Sequence, residues 1–257
     1  MTEATAAQHV PSSSGSRRRF PDSGVLEAES PNRGWRKRGG TRAVLLVSCV
    51  LALSCATRVV SLDHRPREYV ASDYSEVLKR WTREERLISA NEFADFLSAT
   101  ATFESWDFRW AYAIKYADDF RLTVTQRREL MDRLLTETGR YHHFYVALHS
   151  PRYKWADLTA EHPAWIVRLV DSQGNETAPH DIERIKKPTA ADQTYFPYST
   201  PWRVVHRIRF PVETPSGEPT ISTEARWLGL RFAGPKGHSQ LEWEIGSRGA
   251  SGSVDGF

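Results

Sequence analysis

The sequence predicts an α+β fold, with a helical segment of three or four helices followed by an antiparallel, β-sandwich-like domain. Three observations predict it. Between Asp73 and Thr138 apolar residues recur at helical spacing. After Gly139 they alternate along short runs, and turns rich in Gly and Pro separate those runs. The expected organisation is a basic leader over 1–42, an apolar segment over 43–55, a tether over 56–72, helices over 73–138, the β-domain over 140–246 and a Gly/Ser-rich tail over 247–257.

The helical elements read in order. Asp73 is placed as an N-cap, followed by Val77, Leu78 and Trp81 on one face. Thr82-x-x-Glu85 has the form of a capping box and predicts a helix continuing through Leu87 and Ile88. Asn91 is placed as the cap of a third segment, with Phe93, Phe96, Leu97 and Ala101 as its apolar face. The aromatic stretch from Phe103 to Tyr116 fits either a helix or, in part, a strand. The clearest helix begins at Thr125, carries Leu130, Met131, Leu134 and Leu135, and stops at Gly139.

The strands follow. Tyr141–His149 has Phe144, Val146 and Leu148 in alternation. Trp165–Val170, Ile182–Lys186, Tyr195–Tyr198, Trp202–Phe210 and Arg226–Phe232 come next, and Gly234-Pro235-Lys236-Gly237 turns the chain into Leu241, Trp243 and Ile245. The paired cysteines of an immunoglobulin domain are absent, so only the architecture is predicted.

Charge is distributed unevenly along the 257 residues. The whole chain carries +3, with 35 Lys and Arg against 32 Asp and Glu. Eight of those bases and four of those acids fall in residues 1–42, leaving 27 against 28, or −1, for the remainder. A nearly neutral body lacks the basic face that displaces counterions from a phosphate backbone, which argues against a nucleic-acid partner.

Both cysteines, Cys49 and Cys55, sit in the uncharged run from Ala43 to Ala56. A helix of that length rises about 21 Å, short of the roughly 30 Å hydrocarbon core of a bilayer. Arg36, Lys37, Arg38 and Arg42 precede it, which completes the pattern of an export signal. Ala52-Leu53-Ser54-Cys55 resembles the lipobox of bacterial lipoproteins, in which a small residue precedes the cysteine that is acylated. Leu46-Val47-Ser48-Cys49 also matches locally, but it leaves a much shorter apolar core behind Arg42. Ala52 departs from the commoner leucine. The resemblance implies lipid attachment at Cys55, membrane lipid as a partner and, with Ala56 after the cysteine, residence at the outer membrane of a two-membrane cell. Two or more acyl chains give stable anchoring where one does not. Ser16-Arg17-Arg18-Arg19-Phe20 resembles a twin-arginine motif, but Pro21 follows and the apolar core starts more than twenty residues later.

The body offers no coherent reactive group. His142 and His143 point to opposite faces of a strand, and His143 and His149 are about 20 Å apart along it. His162, His180, His206 and His238 are scattered, so neither a metal nor a cofactor is expected. Glu242 and Glu244 share a strand face at about 6.6 Å, a spacing that suits paired acids and equally a solvated surface. Nucleophile and phosphate-loop motifs are missing. Tyr153, Trp155, Tyr195, Tyr198 and Trp202 form a candidate surface for stacking a sugar or peptide, since planar side chains give large contact area at low entropic cost. The function expected is an exported, lipid-anchored envelope protein with a non-catalytic binding or scaffolding role and an envelope protein or glycan as partner. The alternative is an envelope hydrolase, for example glycan-directed, with a site between the helical and β regions built from residues such as Glu242, His143 and Asp157.

Overall fold

The computed structural model describes residues 58–89 and 94–246. It contains helices together with two antiparallel sheets, an α+β arrangement. The first elements are a 3₁₀ turn at Ala71–Asp73 and helix α1 (Tyr74–Trp81), whose buried side carries Tyr74, Val77 and Trp81. Strands β1 (Thr82–Ser89) and β2 (Ala94–Phe103) follow. Helices α2 (Trp106–Asp119) and α3 (Val124–Thr138) lead to β3 (Tyr141–His149). Then come β4 (Ile166–Asp171), the two-residue β5 (Glu176–Thr177), β6 (Asp181–Ile185), the short α4 (Ala190–Tyr195), β7 (Val204–Pro211), β8 (Trp227–Gly234) and β9 (Gly237–Glu244).

Two of the helices expected from the sequence are strands. Thr82 does not open a helix. It ends α1, and its Oγ1 donates to the Leu78 carbonyl 2.7 Å away. β2 reads Leu97-Ser98-Ala99-Thr100-Ala101-Thr102-Phe103, with Leu97, Ala99, Ala101 and Phe103 buried on one face. That is a period of two, but alanines make its apolar stripe faint beside the larger residues spaced as in a helix. Asn91 lies outside the described residues. Tyr195–Tyr198 is likewise no strand: Thr189 and Asp192 form a reciprocal capping box that starts α4, and Tyr195 is its last residue. The cap of α3 is Thr123, paired with Gln126, rather than Thr125. Ser105 accepts from Phe108 N–H at 3.2 Å, which makes the aromatic stretch helical from Trp106 onward.

The five-stranded sheet has the order β1-β2-β3-β7-β6, and the four-stranded sheet β5-β4-β8-β9. The segment expected to be purely helical and the segment expected to be purely β therefore share one sheet. The inner faces of the two sheets pack together. Phe103 and Phe144 stack at 4.8 Å, and the Trp243 ring of β9 meets Phe144 at 5.6 Å. Leu228, Leu230, Phe232, Ile208, Phe210 and Trp243 are all fully buried in this layer. The outer face of the five-stranded sheet is covered by α2, α4 and the chain around Phe196, whose ring stacks on Tyr145 at 3.9 Å. The β8–β9 turn spans only Pro235 and Lys236, and Gly237 there takes φ +123°, a conformation that side chains disfavour. A Cβ on Gly234 would lie 2.2 Å from the Ala164 carbonyl, so that position needs glycine for close approach.

The segment expected to be a tether is packed from its first described residues. Val60 is buried, its N–H donates to the Glu244 carbonyl at 2.8 Å, and its own carbonyl accepts from Gly246 N–H at 2.8 Å. Further along, Arg67 and Tyr69 both reach Asp107, a buried carboxylate in the first turn of α2. Trp81 Nε1 also donates to Asp107, at 2.8 Å, and Arg80 lies 3.5 Å from it. The charges in this stretch gave it the look of a solvated linker. One of them, Arg67, is instead the partner of a buried carboxylate.

Removing that carboxylate should orphan an indole N–H and a phenol, and leave the Arg67 guanidinium without its counter-charge. Asp107→Ala is expected to lower unfolding free energy by about 3 kcal/mol, read from the denaturant midpoint at constant m-value.

Candidate ligand pocket

The outer face of β3, β7 and β6 is polar where α2 and α3 cross it. Alternation puts His143 and Tyr145 on this face, with Arg209 and Arg207 opposite them on β7 and Glu183 beside Arg207 on β6. The helices supply the other side, through Phe108, Arg109 and Tyr112 of α2 and Leu134 and Glu137 of α3. The open cavity between them is about 300 Å³. It holds a buried floor, an aromatic wall and a charged rim.

Arg109 organises the floor. Its side chain is 4% exposed and donates through Nη1 to the Leu134 carbonyl at 2.8 Å and to Glu137 Oε2 at 3.1 Å. Nη2 donates to Glu104 Oε2 at 3.1 Å. The same arginine thus joins α2, α3 and the β2–α2 connection. Its Nε and the His143 Nε2 are both buried without a hydrogen-bond partner among the described residues. Unpartnered buried polar atoms cost about 1–3 kcal/mol each, and others lie outside the pocket, at Ser150, Trp165 and Ser239 among the described residues. Burial pushes the His143 imidazole down to about 3, with the Arg109 and Arg209 guanidiniums adding to the effect and Glu137 opposing it. The ring is therefore neutral at ordinary pH.

The wall is a set of near-parallel rings. Phe108 and Tyr112 lie at 28°, Tyr112 and Phe196 at 23°, and Phe108 and Phe196 at 33°. At the rim, Arg209 holds Asp181 at 2.8 Å and Arg207 holds Asp192 at 3.1 Å. Glu183 is exposed there and adds a carboxylate to the mouth.

The residues singled out from the sequence are dispersed. Tyr195 is buried, its hydroxyl donating to Asp119 at 2.9 Å, and Tyr198 packs beside Tyr145 with its hydroxyl 2.6 Å from Thr102 Oγ1. Tyr153 is exposed and accepts from Arg184 Nη2 at 2.7 Å, while Trp155 is half-buried under the Arg152 guanidinium. Trp202 is 79% exposed. Tyr153 and Trp155 share a 3₁₀ turn after β3, and Tyr195 and Tyr198 share the cover of the sheet, so the five do not form one stacking face. Cys55 lies outside the described residues.

The three groups named for a hydrolase are separated too. His143 faces the pocket. Asp157 stands on the opposite sheet face, 3.7 Å from His206 and bound to Arg184 at 2.5 Å. Leu158 N–H donates to His206 Nε2, so that nitrogen carries the lone pair and the histidine serves as a buried acceptor. Glu242 is exposed on β9 and accepts from Gln240 at 2.6 Å. Among the described residues, no three His, Cys, Asp or Glu side chains are placed to hold a metal ion. The pocket residues missed from the sequence were Arg109, Glu104, Glu137, Glu183, Arg207 and Arg209. One signal was available: Arg109 interrupts the apolar face of an aromatic helix, Phe108-Arg109-Trp110-Ala111-Tyr112. Comparison with family models, with curated proteins and with solved structures finds no match.

Three histidines are held below their ordinary value of 6.5: His142 at about 4, His143 at about 3 and His206 at about 4, burial being the first cause in each. The unfolded chain binds these protons more readily than the folded one. Stability should therefore be complete above pH 6.5 and fall as pH drops from there toward 4. Thermal unfolding across that window should show proton uptake approaching three per molecule, and His143→Gln should remove one of them.

Proposed function

We propose that the chain is an exported envelope protein, lipid-anchored through Cys55, whose folded body binds a small polar ligand in the pocket under α2 and α3. The address rests on the leader, namely a basic stretch, a short apolar core and the lipobox-like Ala52-Leu53-Ser54-Cys55. No described helix is long and apolar enough to cross a membrane, which leaves the leader as the proposed attachment. The two facing sheets are then the rigid, sandwich-like frame, and the helices form a cover over one outer face.

The binding role rests on the pocket. A cavity of about 300 Å³ with an aromatic wall, arginines and carboxylates suits a single ring bearing hydroxyls, such as one sugar unit of an envelope glycan. The wall takes the ring face, and the rim charges take its hydroxyls. Binding is favoured over hydrolysis because Glu104 and Glu137 each give an oxygen to Arg109. Glycosidic cleavage needs one carboxyl group to give up a proton and a second facing it across the bond.

Titration of the full chain with a panel of monosaccharides and short cell-wall glycans, followed by thermal shift, tests the pocket. At least one ligand should raise the unfolding temperature, and the joint substitution Glu183→Gln with Arg207→Ala should abolish that shift while leaving the unliganded transition in place. If no ligand stabilises, or the rim variant responds like the parent, the pocket is not a sugar site. For the anchor, Cys55→Ala should end lipid labelling and globomycin sensitivity, whereas Cys49→Ala should change neither.

A further inference from the structure

A second, larger concavity of about 1180 Å³ opens where the two ends of the described chain meet. Its sides are the stretch from Val59 to Asp63, the loop from Ser222 to Arg226 before β8, and Ile245 with Gly246. Val60 and Ile245 bridge in parallel, and a Cβ on Gly246 would come within 3.0 Å of the Val59 side chain. The two ends of the described residues are thus fastened to each other at the groove edge.

Position is the first argument for what the groove meets. Two residues separate Cys55 from Arg58, and the three chain steps span at most about 11 Å when fully extended. Arg58 is already held by the body. Its Nη1 donates to the Lys79 carbonyl at 2.7 Å, and its carbonyl accepts from Arg83 at 3.0 Å. A chain acylated at Cys55 therefore holds this end of the body at the headgroup layer, with no length to stand away from it.

Charge and exposure are the second argument. The groove carries Arg65, Arg67 and Arg226 against Asp63 and Glu224, a balance of +1 from three bases and two acids. Arg67 is committed to Asp107 at 3.1 Å and Arg65 to Asp63 at 2.6 Å, yet the Arg65 side chain stays 68% exposed. Arg226 is exposed and makes no ion pair among the described residues. Val59, 56% exposed, adds an apolar side chain beside them. Guanidiniums suit phosphate oxygens, and an exposed aliphatic residue suits the boundary below.

We propose that this groove docks on the phospholipid surface and takes a headgroup phosphate between Arg65 and Arg226. The inference rests on the lipid-anchored reading of Cys55. It makes the protein a body apposed to its membrane rather than one on a flexible stalk.

The test uses the mature full chain reconstituted in phosphatidylglycerol vesicles and, separately, in phosphatidylcholine vesicles. The sequence has no cysteine after Cys55, so Thr223→Cys in the groove and Lys187→Cys after β6 each accept one spin label. The label at 223 should collide with a lipid-borne relaxation agent in phosphatidylglycerol, and the label at 187, on the far edge of the five-stranded sheet, should stay aqueous. Arg65→Ala and Arg226→Ala should each shift the docked-to-undocked ratio of the 223 label about fivefold toward water, as expected for one basic residue at an anionic surface. Equal aqueous exposure of both labels would overturn the proposal. So would contact at 223 that is identical in phosphatidylcholine and unchanged by both arginine substitutions. Contact that appears only after residues 247–257 are removed would show the tail to be the occupant, with the same consequence. Mass spectrometry of the mature N-terminus separates the two failures: an unacylated chain removes the anchor and this inference together, whereas an acylated chain with an aqueous groove removes only the docking.

Discussion

One buried carboxylate joins the parts of this molecule that are distant in sequence. Asp107 sits in the first turn of α2, where the helix dipole favours a negative charge. Its two oxygens take a phenol from Tyr69 and an indole N–H from Trp81, with the guanidiniums of Arg67 and Arg80 alongside. A carboxylate this deep costs several kcal/mol to desolvate, so each of those partners is required in place. The segment before α1, α1 itself and α2 are consequently positioned as one unit. Arg109, two residues further along α2, then carries the same ordering into α3 through Leu134 and Glu137.

That rigidity matters because α2 forms one wall of the pocket. The sheet below presents His143, Arg207, Arg209 and Glu183 in fixed register, since a one-residue slip of any of its strands would send that strand's pocket side chains to the other face. Apolar rings from α2 and Phe196 complete the cavity without neutralising it. Such a face is a poor choice for stability alone. An aliphatic face on β3 and β7 would pack against α2 and α3 without leaving Arg109 Nε and His143 Nε2 unpaired.

The legible parts of the fold were those with strong periodicity and large side chains. β3 reads Phe144-x-Val146-x-Leu148, and β7 and β8 repeat the pattern, so their alternation alone located them within about two residues. β2 has the same period written in alanine and threonine, and the apolar contrast was too weak to compete with helical spacing. Thr82 and Thr189 show that one local signature serves two ends. Thr189 with Asp192 caps a helix, while Thr82, equally followed by a carboxylate three residues on, closes one. What decides between them is pairing with Thr102 across the sheet, a contact twenty residues away. The pocket was hidden for the same reason. Arg109, Glu183 and Arg207 belong to three elements, and only tertiary register brings them to one cavity; His143 alone was visible beforehand.

The packed N-terminal segment changes the physical meaning of an anchor at Cys55. A flexible tether would let the body sample every orientation, and binding in the pocket would be indifferent to the membrane. Here Val60 is already a bridge partner of Ile245, and Tyr69 is already bonded to the helix that walls the pocket. From Val60 to the pocket wall at Phe108 and Tyr112, the described chain passes through sheet bridge, carboxylate hub and helix. Under the proposed anchor at Cys55, the orientation of the pocket relative to the membrane would follow from Asp107 and the Val60 bridge.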